Sequence, residues 1–426
     1  MESGPYGSGR AASHLFRTFW PVLLRGSSQS DTMEREVRMQ YRTFGKLDWK
    51  PSALGFGAMR LPTIDGDSSK IDEALATKMI RTAIDEGVNY VDTAWPYHQE
   101  QSEPFVGRCL QDGYREKVKL ATKMPVWLTE TREDFDKYLG LQLEKLQTDH
   151  IDFYLLHALN QTTWPKVHDL GVLDWAQAAI KDGRIGHLGF SFHDELKTFK
   201  EIIDAHDWTF CQIMYNYMDI EFQAGREGLR YAADKGIAVV IMEPLRGGSL
   251  TQKAPQAVAD LWASAPVKRS QSDWALQWVW NQPEVSLLLS GMTAMEHVTE
   301  NLESARNSEV GGLSADELAL VDQVREAYRA LCPIPCTNCK YCMPCPSGVS
   351  IPRIFSIFND LRMLGDEPMA RTRYNLFVKA ENRADNCVEC GQCEAACPQQ
   401  IQIIDWLKKV HEALFVPAEG AAGDPS

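Results

Sequence analysis

The sequence predicts an α/β chain in two parts: a closed (β/α)8 barrel of parallel strands, then a small, mostly helical, cysteine-rich domain. Three observations predict it. From Tyr41 to about Asn307, short β-branched or apolar runs alternate without a break with longer helical patterns. Eight such units fit in about 250 residues, the usual size of a parallel barrel. Beyond Asn307 the alternation stops, and nine of the eleven cysteines fall between Cys332 and Cys397. At 426 residues the chain exceeds one ordinary core, so one large and one small domain is the natural division.

An open, doubly wound sheet is the competing architecture. It would carry a glycine-rich phosphate loop after its first strand. Here Leu54-Gly55-Phe56-Gly57 is followed by Ala58-Met59-Arg60-Leu61-Pro62, with no third glycine and no immediate helix. The sequence therefore favours the barrel. Its strands are expected at 53–57, 90–93, 118–122, 151–156, 187–192, 211–215, 238–242 and 285–290. The helical patterns that follow them run over 71–86, 103–111, 131–146, 171–181, 195–205, 224–235, 270–281 and 294–305, with Gly, Asp or Pro at the joints. A further amphipathic helix is expected over 313–330. Ser314 is its candidate N-cap, and Glu317, three residues on, completes a capping box. Two helical patches follow between the cysteine runs, and 401–414 reads as a closing helix. The expected division is an extension without fixed structure over 1–38, the barrel over 39–312, a linker helix and the cysteine-rich domain over 313–415, and a structureless tail over 416–426.

An apolar share of 44% and a charged share of 24% fit a globular chain in water. The formal net charge of -14 argues against nucleic acid as a partner, because phosphate backbones need a basic face. No uninterrupted apolar run approaches the ~20 residues of a membrane span. Phe19-Trp20-Pro21-Val22-Leu23-Leu24 is too short and too broken by proline for a signal peptide, while its basic surroundings leave a transit-type segment open. Close Cys-x-x-Cys steps in a long acidic chain point to metal or cluster ligands rather than disulfides, and so to a reducing, cytoplasmic setting.

If the expected strands are parallel neighbours, their C-terminal ends gather four reactive residues. Asp92 ends the second strand and Tyr97 lies in the loop above it; Lys123 ends the third and His157 the fourth. Barrel chemistry sits at that rim. Singly, these residues read as a turn residue, a surface charge and a core histidine. Together they can lower a phenol pKa and protonate a carbonyl oxygen. Free tyrosine titrates near about 10, so it needs a nearby ammonium to act as an acid at neutral pH.

Several short pieces keep one order and spacing: Asp92-Thr93-Ala94 with Tyr97, Thr122-Lys123, Asp152 through His157, Gly189-Phe190-Ser191, Gln212 with Tyr215-Asn216, Pro244-Leu245 and Glu300-Asn301. Over residues 41 to 310 the chain thereby resembles the aldo-keto reductase family. The resemblance implies a TIM barrel that binds NADP or NAD and reduces an aldehyde or ketone, or oxidises the alcohol. It implies Tyr97 as general acid, Lys123 favouring its phenolate, Asp92 holding Lys123, and His157 orienting the carbonyl oxygen. Ser191 and Gln212 would bond the nicotinamide carboxamide, Met242, Pro244 and Leu245 would join the cofactor-binding set, and Asn301 would meet the adenine. Met242 stands where the family often stacks an aromatic. Ser290-Gly291-Met292, with His297 nearby, stands where a 2'-phosphate site carries a Lys and an Arg, so NADP versus NAD stays open. Trp95, Trp127, Trp164 and Phe192 read either as an apolar substrate pocket or as packing of the barrel mouth.

The cysteines form two runs. Cys336, Cys339, Cys342 and Cys345 are each separated by two residues and followed by Pro346; Cys387, Cys390, Cys393 and Cys397 have spacings of two, two and three and are followed by Pro398. The second run matches the bacterial ferredoxin pattern, in which the cysteine before proline ligates the other cluster. Two 4Fe-4S clusters are then expected, one on Cys336, Cys339, Cys342 and Cys397, the other on Cys387, Cys390, Cys393 and Cys345. The first run departs from the pattern by one residue, which keeps a single cluster on Cys387, Cys390, Cys393 and Cys397 open. Structural zinc fits two cysteine triplets closed by Cys-Pro less well. The whole chain resembles aldo-keto reductases that carry a C-terminal ferredoxin-like domain. Arg246-Gly247-Gly248 and Cys342-Met343-Pro344-Cys345-Pro346 fit that group.

Three functions compete. One is a carbonyl reductase or alcohol dehydrogenase acting on a small molecule. Another is an electron-transfer protein that passes electrons between nicotinamide, the clusters and a redox partner docked at the iron–sulfur domain. The last is a redox sensor that does not turn over. Hydride carries two electrons and a cluster accepts one, and no flavin signature is present to split the pair; this favours the reductase.

Overall fold

The computed structural model describes residues 38–416, apart from 252 and 337–339. Cys339 lies outside the described residues, as do the expected extension up to residue 37 and the tail from 417. Eight parallel strands close into a barrel in sequence order. They are β1 (Leu54–Gly57), β2 (Tyr90–Asp92), β3 (Lys119–Met124), β4 (Ile151–Leu159), β5 (Ile185–Phe192), β6 (Phe210–Met214), β7 (Ala238–Met242) and β8 (Val285–Gly291). All eight expected helices are present within two residues of their expected bounds.

Inward side chains come from alternate positions. The barrel interior holds Tyr90, Ala121, Phe153, Leu155, Phe210, Ala238, Val240, Leu287 and Leu289. Side chains two residues apart share a face of a strand. The same parity carried upward turns Asp92, Lys123, His157, Gln212 and Met242 toward the C-terminal mouth. The other end is plugged. Phe44 is fully buried against Phe153, with ring centroids 4.9 Å apart.

β4 runs three residues past its expected end, because it carries a bulge. Leu156 pairs with Phe190 and Leu159 with Phe192, so one extra residue is inserted on β4. Ala158 takes a left-handed conformation there, φ 53°. Its N–H donates to Ser191 Oγ at 2.8 Å. Bulges of this kind re-aim a neighbouring side chain, and here the neighbour is His157.

Among the described residues of the barrel, two α-helices were not expected, Thr163–Asp169 and Gln256–Ser264. The first buries only Val167 and the second only Val258 and Trp262. So little apolar periodicity gives no helical signal. The Ala315–Arg329 helix carries the expected Ser314/Glu317 capping box. It is packed into the barrel's outer core through Val321, Val324 and Tyr328.

The C-terminal part is helical, built on Ile351–Leu364, Glu367–Phe377 and Ile403–Leu414. Ile354, Phe355, Phe358, Tyr374, Leu407 and Val410 form its separate core. Met363 and Leu364, at the end of the first of these helices, pack instead against the barrel. No helix among the described residues is long and apolar enough to cross a membrane.

Candidate active site and cluster sites

The four rim residues converge. Lys123 Nζ donates to Asp92 Oδ1 at 2.6 Å and to the Thr93 carbonyl at 2.8 Å, and lies 3.4 Å from Tyr97 Oη. Lys123 and Asp92 are buried, while Tyr97 and His157 are half-buried and face each other edge to face, ring centroids 6.1 Å apart. The register explains the meeting. Asp92 pairs with Ala121 on β3, two residues before Lys123, and Lys123 pairs with Leu155 on β4, two before His157. Lys123 and His157 are thus each one inward step above the residue that pairs with the preceding member of the set.

Burial pulls Lys123 down, but Asp92 and Tyr97 outweigh it and hold the ammonium above its ordinary range. Burial raises Asp92, against the opposing effect of Lys123. For Tyr97 burial is the largest influence and it raises the phenol above 10; Lys123 offsets this only in part. The direction corrects the expectation of a lowered phenol. Desolvation of a neutral phenol's anion outweighs one ammonium 3.4 Å away. His157 is held well below its ordinary 6.5 by burial, by Lys123 and by His193. It is therefore neutral at physiological pH.

The expected cofactor contacts lie on the far side of the mouth. Ser191 pairs with Gln212 across β5 and β6, and Met214 with Met242 across β6 and β7. Gln212 Oε1 is buried with no partner among the described residues, and its Nε2 donates only to the Met242 sulfur at 3.6 Å. An amide left this short of partners is complementary to a carboxamide. Ser191 Oγ accepts from Ala158 and keeps its own proton to donate. Pro244 and Leu245 lead into a loop of left-handed residues, Arg246, Gly247 and Gly248. Asn301 is buried and donates to Ser290 Oγ at 2.9 Å.

Of the four aromatics, only Trp127 reaches the rim set, its ring 5.2 Å from His157. Trp95 lies under Lys145, 3.4 Å from the ammonium to the ring centre. Trp164 packs on Trp208 and Phe192 on Phe199, between sheet and helices.

Three charged residues at this end were not singled out from the sequence. Arg60, in the loop after β1, runs past the end of β8: a Cβ added at Gly291 would stand 3.1 Å from its own Cβ, and one at Gly247 would stand 3.0 Å from its guanidinium. Met59-Arg60-Leu61-Pro62 was read only as a failed phosphate loop. Glu103 is buried behind Lys123, accepting from Thr122 Oγ1 at 2.6 Å and Gln142 Nε2 at 2.5 Å. In the sequence it looks like an ordinary acidic residue in a helix's first turn. Glu243, just after Met242, is left-handed at φ 53°.

In the C-terminal part, Cys336, Cys342 and Cys397 line one small pocket with Ile351, Phe355 and Ile401. These are three of the four residues expected at one cluster; the fourth is Cys339. Cys345, Cys387 and Cys393 pack against the same small core, and Cys390 is exposed. Cys109 and Cys211 are buried in the barrel, and burial pushes the Cys109 thiol up to about 11.

A closed parallel barrel with an Asp–Lys–Tyr–His set at its C-terminal rim defines a class of oxidoreductase, and comparison with known proteins agrees. Residues 53–326 match the aldo/keto reductase family, and residues 335–402 match the 4Fe-4S dicluster domain. The chain belongs to the aldo/keto reductase family and is an NAD(P)-dependent oxidoreductase with a C-terminal 4Fe-4S domain. An uncharacterised oxidoreductase of Schizosaccharomyces pombe is 30% identical over 268 residues, 61% of this chain and 83% of that protein. L-galactose dehydrogenase of Arabidopsis thaliana is 26% identical over 318 residues, 69% of this chain and 97% of that protein. An aldo-keto reductase from Bacillus halodurans, solved in its holo form, superposes with a TM-score of 0.58 at 25% identity, covering 67% of this chain and 96% of its own.

Proposed function

We propose that the barrel reduces the carbonyl of a small aldehyde or ketone, or oxidises the corresponding alcohol, with Tyr97 as the proton donor. The observation that carries this is the buried Lys123 between Asp92 and Tyr97 Oη. A bound nicotinamide supplies the hydride. Tyr97 gives its proton to the substrate oxygen, and Lys123 steadies the phenolate left behind. Asp92 keeps that ammonium charged and aimed. Neutral His157 hydrogen-bonds the same oxygen and fixes its position. Gln212 and Ser191 would hold the nicotinamide carboxamide. Tyr97 carries its proton at neutral pH, and the pull of Lys123 against the larger effect of burial is what strengthens it as a donor.

Tyr97→Phe tests the reading. Carbonyl reduction should fall about 10²- to 10⁴-fold, the ordinary value of a positioned acid, with nucleotide binding intact. A variant that kept the full rate would remove Tyr97 from the role.

In the second domain we assign two 4Fe-4S clusters with crossed ligation: Cys336, Cys339, Cys342 and Cys397 at one, Cys387, Cys390, Cys393 and Cys345 at the other. The shared pocket of Cys336, Cys342 and Cys397 supports this pairing. Bound clusters supply one-electron carriers. An electron-transfer role gains weight from the position of the domain, whose Lys340 pairs with Glu195 just past the end of β5. Cys390 and Val388 are exposed, which gives a redox partner access. An anaerobic spectrum near 400 nm separates the roles. Bleaching by NADH or NADPH without a carbonyl substrate favours electron transfer; an unchanged band favours an independent reductase.

A further inference from the structure

The loop that follows β7 combines Pro244-Leu245 with a run of strained backbone. Glu243, Arg246, Gly247 and Gly248 all lie at positive φ, from 51° to 94°. Non-glycine residues keep such conformations only where the surroundings enforce them. Two kinds of contact do so here. Within the barrel, Asn216 Nδ2 donates to the Glu243 carbonyl at 3.3 Å, and the Arg246 N–H to the same carbonyl at 2.9 Å. The Arg246 side chain supplies the rest. Its Nε donates to Asp219 Oδ2 at 2.8 Å and its Nη2 to Asp360 Oδ1 at 2.9 Å.

Asp360 does not belong to the barrel. It sits on the Ile351–Leu364 helix of the cluster domain, with Arg373 on its other oxygen at 3.0 Å. Arg246 is 9% exposed, so its charge depends on these two carboxylates rather than on water. The domain touches the rim a second time through Lys340 and Glu195. Its contacts therefore reach loops following β5 and β7, the side of the mouth that carries Ser191, Gln212 and Met242.

We propose that Asp360 is a positioning residue for nucleotide binding: through Arg246 it holds the loop after β7 in the shape that receives the cofactor. The proposal rests on the reading of Pro244 and Leu245 as cofactor contacts. Removing the Asp360 charge takes away the carboxylate shared by Arg246 and Arg373 and leaves Asp219 to face the Arg246 guanidinium, so the guanidinium turns toward water and takes the loop with it. Lys123 and His157 lie on β3 and β4, and Tyr97 in the loop after β2, so none of them belongs to the loop that Arg246 holds. The cluster domain thus contributes to nucleotide affinity without any electron passing through it.

The test uses the full-length, cluster-loaded chain and its Asp360→Asn variant. NADH and NADPH dissociation constants are read from quenching of protein fluorescence, beside kcat, KM and iron content. The expected result is weaker nucleotide binding by roughly tenfold, inside the about 5- to 150-fold span of site-to-site coupling, with kcat and iron unchanged. Coupling is reciprocal, so nucleotide should slow iron loss to a chelator in the parent chain and not in the variant. Equal affinity in parent and variant, with iron retained, overturns the proposal. A parent chain that binds neither nucleotide overturns instead the cofactor reading beneath it. If Asp360→Asn sheds its iron, Asp360→Glu decides: weakened binding with iron retained supports the role, and unchanged binding removes it.

Discussion

Tyr97 stands between two opposed influences, burial that raises its phenol above 10 and an ammonium 3.4 Å away that pulls it down. The net direction is upward, so the acid form persists through neutral pH and is lost only as pH climbs through the raised value. His157 moves the other way, held well below 6.5, and stays neutral until the solution is distinctly acidic. Carbonyl reduction should therefore show no limb near pH 6.5 and an alkaline fall only above about 10. A pH profile of kcat/KM at saturating nucleotide checks this; a fall centred near neutrality would give the proton to another group. Lys123→Met should lower kcat about as far as Tyr97→Phe, 10²- to 10⁴-fold, since the phenolate loses its counter-charge. Arg60 carries a residue-level expectation of its own. It is a cation lying between Gly291 and Gly247, where the sequence offered only Ser290, Gly291, Met292 and His297. Arg60→Ala should raise KM for NADPH more than for NADH, because a 2'-phosphate gains most from a guanidinium. Equal effects on both would place Arg60 outside the phosphate region.

At the scale of elements, what made the barrel legible was alternation. β-branched runs such as Ala238–Met242 and helices with one apolar stripe repeat eight times, and a parallel barrel is the compact way to close them. The candidate set at the rim was legible for a related reason: Asp92, Lys123 and His157 each lie toward a strand's C-terminal end. Helices Thr163–Asp169 and Gln256–Ser264 were not legible, because one or two buried residues leave no period to read. The bulge at Ala158 was equally hidden, since it depends on a bond to Ser191 from another strand. Glu103 was missed because its partners, Thr122 and Gln142, come from β3 and the Glu133–Leu146 helix. Gln142 also donates to the Lys123 carbonyl at 3.0 Å, so this buried group backs the strand that presents Lys123. Glu103→Ala should destabilise the fold by about 1–3 kcal/mol, the usual penalty for stranding buried donors, read as a lower urea midpoint. Glu103→Gln should lose less. It keeps an acceptor for both donors and removes the charge that burial disfavours. Equal losses from the two substitutions would mean that the hydrogen bonds contribute little.

For the whole molecule the open question is how two distant stretches, 336–345 and 387–397, make one domain. Between them lie the helices Ile351–Leu364 and Glu367–Phe377, whose core is small. A small core gains much from a metal cluster that exists only in the folded state. Crossed ligation gains most, because each cluster then ties the two stretches together. The scheme has a countable consequence. The loaded chain should carry about eight iron atoms, and Cys345→Ser should leave about four. Adding Cys387→Ala should cost no further iron, since both residues serve one cluster. Adding Cys336→Ala instead should remove nearly all of it. Uncrossed ligation reverses the two double variants, and a single cluster would start from about four iron atoms. The variant stripped of both clusters should also lose the ordered helix that presents Asp360, and with it the second carboxylate on Arg246. Its nucleotide affinity should then fall to that of Asp360→Asn and no further. A larger fall would mean that the cluster domain supports the barrel by some route other than this one ion pair.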